Sequence, residues 1–140
     1  MHCSINQLIV IDDCSTSRYI HNKIAEKIGF TGSVKDFSSA EDALAYLNLI
    51  NNPRVFNQTA ILVDFEMPTV NGLEFVERLL GINNTENLTV AIVSGVEHPE
   101  KVNKILNHQL VDFFFEKPIP AEGLKKLLHC KPLYKATKAS

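Results

Sequence analysis

Asp12, Asp13, Asp64 and Lys117 are the side chains that could do chemistry, because each follows directly or closely on a short apolar run. Leu8–Ile11 leads into Asp12 and Asp13, and Thr59–Val63 leads into Asp64 with Pro68 and Gly72 just beyond. Phe113–Phe115 leads toward Lys117 and Pro118, and Leu88–Val93 leads into Ser94. Three carboxylates that converge repel one another unless a cation lies among them. Hard carboxylate oxygens suit Mg²⁺, with Mn²⁺ as an alternative. An aspartate can also act as a nucleophile toward phosphorus and form an acyl phosphate. Phosphoryl transfer asks for alignment and charge neutralisation, which a divalent ion and one lysine can supply. Lys117 carries a compact ammonium on a flexible stem, suited to following a phosphoryl group that comes and goes. The Ser94 hydroxyl can donate to the same oxygens.

The elements that position these residues alternate in period. Runs rich in β-branched or aromatic residues fall near 8–11, 33–37, 60–63, 89–93 and 113–115, with helical spacing between them. Ile20, Ile24 and Ile28 mark a first helix, with Ser15, Thr16 or Ser17 as its N-cap and Gly29 as its stop. Ser38 and Glu41 have capping-box spacing ahead of Leu44, Leu47 and Ile50. Leu73, Val76, Leu79 and Leu80 mark a third helix before Gly81. Val102, Ile105 and Leu106 mark a fourth, entered at Pro99, and Leu124, Leu127 and Leu128 a fifth. Residues 48–58 and 82–87 read as surface loops.

Strands alternating with helices imply an α/β fold, a parallel sheet covered on both faces. Ligands of such open sheets sit beyond the carboxyl ends of the strands. Asp12, Asp13, Asp64, Ser94 and Lys117 all fall at carboxyl ends. That shared edge is the main reason to read them as one site.

The bulk numbers narrow the function classes. A chain of 140 residues, 45% hydrophobic and 21% charged, fits one globular domain with a real core. Residues 1–131 form that domain, and 132–140 read as a flexible tail. A net charge of −2 argues against a general nucleic-acid binder. Lys125, Lys126, Lys131, Lys135 and Lys138 read as a solvated helix face and linker. Cys3, Cys14 and Cys130 lack metal or disulfide spacing and read as free thiols in a reducing cytosol. Cys14, beside the acids, reads as a small core residue. Neither a secretion signal nor a bilayer-spanning run is seen, so the expected location is cytoplasmic, with no membrane partner. The five histidines are scattered without metal spacing.

Each motif also has a plainer reading. Asp12 and Asp13 could cap the following helix, Lys117 could be a surface lysine, and Ser94 a loop hydroxyl. Phe114, between two other phenylalanines, could be core. The conjunction at one sheet edge favours chemistry for the charged residues.

Taken in order, Asp12-Asp13, Asp64 with Met67-Pro68 and Gly72, Ser94-Gly95 and Lys117-Pro118 resemble the receiver domain of two-component response regulators. Ile9–Arg18 is especially similar to the start of the chemotaxis response regulator. The likeness runs from about Leu8 to about Leu128. It implies a flavodoxin-like (βα)5 three-layer sandwich with strand order 2-1-3-4-5. It implies that Asp64 is the phosphoacceptor, supplied by a sensor histidine kinase or a histidine phosphotransfer protein. Asp12, Asp13, Asp64 and the backbone carbonyl of Glu66 would hold Mg²⁺. Ser94 and Lys117 would contact the phosphoryl group, Phe114 would be the aromatic that turns inward, and Lys117-Pro118 would be cis. An effector would bind the face of the fourth helix, fifth strand and fifth helix. On this reading the chain catalyses only its own phosphorylation and dephosphorylation, is no enzyme, and binds no nucleic acid directly. It would be a stand-alone receiver or a piece of a longer protein.

Gly95 stands where the family usually has Ala, and Phe114 replaces an equally common Tyr. Glu66 and Val96 occupy the family's variable positions that tune phosphoryl lifetime. Two rival classes share the pattern in part. A haloacid-dehalogenase-type phosphatase would want a second aspartate where this chain has Glu66. An unphosphorylated interaction module would usually lose an acid or the lysine.

Overall fold

A computed structural model describes residues 5–95 and 99–129. The chain runs β1 (Gln7–Ile11), α1 (Ser15–Lys27), β2 (Ser33–Phe37), α2 (Ala40–Leu49), α3 (Pro53–Asn57), β3 (Thr59–Asp64) and α4 (Gly72–Leu79). A 3₁₀ turn at Thr85–Asn87 leads to β4 (Thr89–Ser94), α5 (Pro99–Leu106), β5 (Phe113–Glu116) and α6 (Ala121–His129). All five strands pair in parallel, in the order β2-β1-β3-β4-β5. This is the flavodoxin-like order the resemblance implies. The boundary expected between 131 and 132 lies outside the described residues.

The strand alternation sorts the core into two layers. Ile9, Ile11, Ile61, Val63, Val90 and Ile92 face a cluster completed by Leu47, Phe56, Phe75, Leu79 and Ile105. Leu8, Val10, Ala60, Leu62, Ala91 and Val93 face the opposite cluster, which Ala25, Leu124, Leu127 and Leu128 complete. Strands β3 and β4 are buried at every residue, as central parallel strands covered on both faces must be. That is why their runs show no polar alternation.

Several helix details differ from the expectations. Cys14, and not Ser15, Thr16 or Ser17, takes the N-cap position of α1, and no side chain caps it. Cys14 is exposed, which corrects its reading as a core residue. The fully buried residues of α1 are His21 and Ala25; Ile24 and Ile28 are half-buried against the core as the stripe implies, while Ile20 is 44% exposed. Leu80 and Leu106 also face outward. The cap of α2 is Ser39, whose side chain accepts from the Asp42 amide, one residue later than the Ser38–Glu41 spacing implies. Residues 48–58 are not all loop. Asn52 accepts from the amides of Arg54 and Val55, Pro53 sits in the first turn, and the short α3 follows with Phe56 buried. An Asn-Pro pair is a start signal, since proline's missing donor costs nothing at that position.

Gly29 ends α1 as expected. Its φ of 87° is left-handed, and Gly29 N–H and Phe30 N–H bond back to Glu26 and Ala25 carbonyls at 3.1 and 3.0 Å. At α4 a full capping box forms: Asn71 Oδ1 accepts from Glu74 N–H at 2.8 Å, and Glu74 Oε1 accepts from Asn71 N–H at 2.9 Å. Asn71→Ala should therefore cost about 1 kcal/mol, read as a lower denaturation midpoint at unchanged slope. An unchanged midpoint would show the cap to be idle.

Candidate functional site

Ladder hydrogen bonds run one residue past the strand ends and fix the site's backbone. Asp12 N–H bonds to Phe37 carbonyl at 3.0 Å, Phe65 N–H to Val93 carbonyl at 2.8 Å, and Lys117 N–H to Ser94 carbonyl at 2.9 Å. Asp12, Asp64, Ser94 and Lys117 thus hang from one edge on a rigid frame. Gly72 lets α4 start close beneath it. A Cβ there would stand 3.0 Å from both the Asp64 carbonyl oxygen and the Phe65 Cα.

Oxygen atoms of Asp12, Asp13 and Asp64 all lie within 4.8 Å of one another. Asp12 and Asp64 are buried at 1% and 3% exposure, while Asp13 is exposed. The Lys117 ammonium stands 3.1 Å from Asp64 Oδ1 and 3.7 Å from Asp12 Oδ2. Neither of these two oxygens accepts a well-directed hydrogen bond. Asp12 is oriented by its neighbours: Oδ1 accepts from Cys14 N–H at 2.9 Å, and Arg18 donates to the Asp12 carbonyl at 2.7 Å.

Burial pushes the Asp64 carboxyl up to about 6, and the charge of Asp12 adds to it, while Lys117 pulls the other way. For Lys117 burial opposes the charge, but Asp64 above all, then Asp12 and Glu66, hold the ammonium above its usual value. The cluster is therefore short of positive charge. Two buried carboxylate oxygens with only the Lys117 ammonium beside them, an exposed third acid and all-oxygen chemistry fit a hard divalent cation.

The structure brings every charged site residue of the sequence reading to this edge. Ser94 is buried, and its hydroxyl donates to Glu66 Oε2 at 2.6 Å, not to Asp64. Gly95 N–H donates to Glu66 Oε1 at 3.3 Å, and Gly95 is exposed beside the Lys117 stem. The Lys117-Pro118 bond is cis. Phe114 is half-buried and packs against the core cluster that contains Ile105. Val96, Cys3, Cys130, His2 and His98 lie outside the described residues.

Sequence reasoning missed two participants. Lys101, on α5, reaches Glu66 Oε2 at 3.0 Å and stands 4.1 Å from the Phe65 ring centroid. His21 is buried beneath the site with Nδ1 unpartnered, and burial lowers its pKa, partly countered by Asp12. Nothing in the spacing of either residue signals these roles.

The comparisons with known proteins agree with this geometry. Residues 8–129 match the response regulator receiver domain family. The chain is 22% identical over 130 residues to the two-component response regulator ORR1 of Oryza sativa subsp. japonica, covering 91% of this chain and 56% of that protein. It therefore spans little more than half the length of that relative. A response regulator receiver protein from Dyadobacter fermentans superposes with a TM-score of 0.78 at 24% identity, over 87% of this chain and 94% of that one. The chemotaxis protein CheY4 of Vibrio cholerae gives 0.71 at 20%, over 89% and 97%. These two share the fold. No described helix is long and apolar enough to cross a membrane. With nearly the whole sheet-and-helix unit inside the match, this chain belongs to the response regulator receiver domain family.

Proposed function

We propose that the chain is a phosphoacceptor switch, with Asp64 taking a phosphoryl group from a histidine-phosphorylated kinase or phosphotransfer protein. The observation that carries this reading is the buried Asp64 carboxylate at a strand tip, with Lys117 at 3.1 Å and two further acids within 4.8 Å. A carboxylate oxygen of Asp64 attacks phosphorus, an O–P bond forms, the N–P bond breaks, and its electron pair stays on the imidazole nitrogen. Lys117 offsets the charge gathering on the phosphoryl oxygens, and the Ser94 hydroxyl and Gly95 amide, which here donate to Glu66, turn to those oxygens when they arrive. Asp12, Asp13, Asp64 and the Glu66 carbonyl would hold Mg²⁺, which when bound supplies positive charge where the acids repel. Attack of water on phosphorus later returns free Asp64 and inorganic phosphate.

Added charge on Asp64 shifts an existing equilibrium between two forms. The effector surface is the face of α5, β5 and α6, with Phe114 on β5 as its mobile aromatic. The unit is residues 1–131, it works in the cytoplasm, and it turns over no external substrate. The phosphatase alternative is weaker, because the Glu66 carboxylate already accepts from Ser94, Gly95 and Lys101 and is held below the usual range. Burial opposes that lowering, but the three donors outweigh it.

The test is incubation with acetyl phosphate and Mg²⁺, followed by peptide mapping. The expected product is one hydroxylamine-labile phosphoryl adduct on the peptide carrying Asp64, absent when EDTA is added. A label elsewhere, or none while Mg²⁺ still binds, would remove the reading.

A further inference from the structure

Glu66 holds the donors that a phosphoryl group on Asp64 would need. Its carboxylate accepts from the Ser94 hydroxyl at 2.6 Å and from Gly95 N–H at 3.3 Å, with both carboxylate oxygens engaged. The Lys101 ammonium closes on the same carboxylate at 3.0 Å. That ammonium also stands 4.1 Å from the Phe65 ring, so one charge bridges the β3–α4 loop and helix α5. A short O–H···O⁻ bond and an N⁺–H···O⁻ bond are the strong kind, about twice a neutral one.

We propose that Glu66 is an internal competitor for the phosphoryl site: it occupies Ser94 and Gly95 in the resting state and ties them to α5 through Lys101. This rests on the phosphoacceptor reading above and names how that site is regulated. Ser94 has one hydroxyl proton, and it cannot serve Glu66 and a phosphoryl oxygen at once. Phosphorylation of Asp64 brings negative charge toward Glu66 and draws the Ser94 proton to the new oxygens. Glu66 then swings out and leaves Lys101 over Phe65, so the ion-pair arm of the clamp between the acceptor loop and α5 opens. The switch surface is thereby coupled to the acceptor through an ion pair, in addition to any movement of Phe114. The resting state is favoured at a cost to the rate of phosphorylation.

The test measures Mg²⁺-dependent labelling by acetyl phosphate on the full chain. Glu66→Gln removes the charge and the strong acceptor at constant size, and labelling should run about tenfold faster, the worth of one charged hydrogen bond. Lys101→Met loosens the clamp and should give a smaller gain in the same direction, about threefold on the same grounds. Glu66→Asp keeps a carboxylate and should stay nearer the wild-type rate than Glu66→Gln does. Simple relief of like charge would also speed labelling, so the decisive arm is the double-mutant cycle with Ser94→Ala. In that background the competitor has lost its chief donor, and Glu66→Gln should bring little further gain. Hydrogen exchange of the α5 amides should rise on phosphorylation of the wild type and be raised already in unphosphorylated Lys101→Met. A Glu66→Gln rate at or below wild type, or an equal gain with and without Ser94, would overturn the competitor. Absence of label from the wild type with Mg²⁺ bound would instead overturn the phosphoacceptor reading beneath it.

Discussion

Asp64→Asn should abolish acetyl phosphate labelling and at the same time make the metal-free protein more stable at neutral pH. The first effect follows from chemistry, because an amide oxygen is too weak a nucleophile to form the acyl phosphate. The second follows from the charge balance of the site. Asp64 is 3% exposed, and its carboxyl is raised to about 6 by burial and by Asp12. In the unfolded chain an aspartate titrates near about 3.9. Between those values the folded chain holds a proton that the unfolded chain releases, so stability falls as pH rises from about 4 to about 6. Above that window the whole cost is present, about 2–3 kcal/mol from the gap between the two values. Asparagine carries no such charge. Denaturation of the two proteins in EDTA should therefore differ by about 2 kcal/mol at pH 7, in favour of Asp64→Asn, and converge near pH 4. Mg²⁺ should stabilise the wild type more than the variant. Equal stability in EDTA at pH 7 would mean that the acids do not strain the fold, and retained label would remove Asp64 from its role.

The same burial that strains the site made its frame readable from sequence. Five runs rich in β-branched or aromatic residues each match a strand to within a residue or two, and those of β3 and β4 are the most apolar because both strands are covered on both faces. The charged residues at their tips break those runs abruptly, so their shared edge was also legible once the sheet was taken as parallel. Which face of a helix turns inward was less so. Ile20, Ile24 and Ile28 repeat every fourth residue, yet only Ile24 and Ile28 reach the core, half-buried, while the fully buried positions are His21 and Ala25 and Ile20 is left outside. A four-residue repeat drifts around a helix of 3.6 residues per turn, so it marks a broad face without centring it. A buried histidine carries no apolar signal at all.

Tertiary pairing was the least legible. Glu66 could be placed beside the acceptor by its position alone, but its partner Lys101 lies 35 residues away on another element. No spacing rule reaches across that distance. Ser94 shows the same limit from the other side. Its place at the tip of β4 followed from the strand, whereas its bond to Glu66 and not to Asp64 depends on where two loops meet. The short α3 is a different case. Asn52 and Pro53 are a helix-start pair, and its polar surroundings hid it.

Lys117→Ala should act in the opposite sense to Asp64→Asn on stability and in the same sense on function. The ammonium is the cation facing Asp64 Oδ1 and Asp12 Oδ2, at 3.1 and 3.7 Å, and both oxygens are buried without a directed donor. Its removal leaves two buried carboxylates facing each other. At pH 7 the metal-free variant should lose about 3 kcal/mol, the low end for a buried ion pair that loses one partner, because the Lys117 side chain is itself 28% exposed. The loss should shrink toward pH 5, where Asp64 can take up a proton and relieve the repulsion. Phosphorylation should suffer more than folding does. A preorganised donor aimed at developing negative charge accounts for about 10²–10³ in rate, so labelling should slow by about that factor with Mg²⁺ saturating. Lys117→Arg separates charge from shape. A guanidinium keeps the positive charge but is a planar fork where a compact ammonium now stands between two oxygens, so stability should be restored further than rate. Labelling of Lys117→Ala within about threefold of wild type would mean that the ammonium serves the folded charge balance and not the transfer, a difference of less than 1 kcal/mol in the barrier.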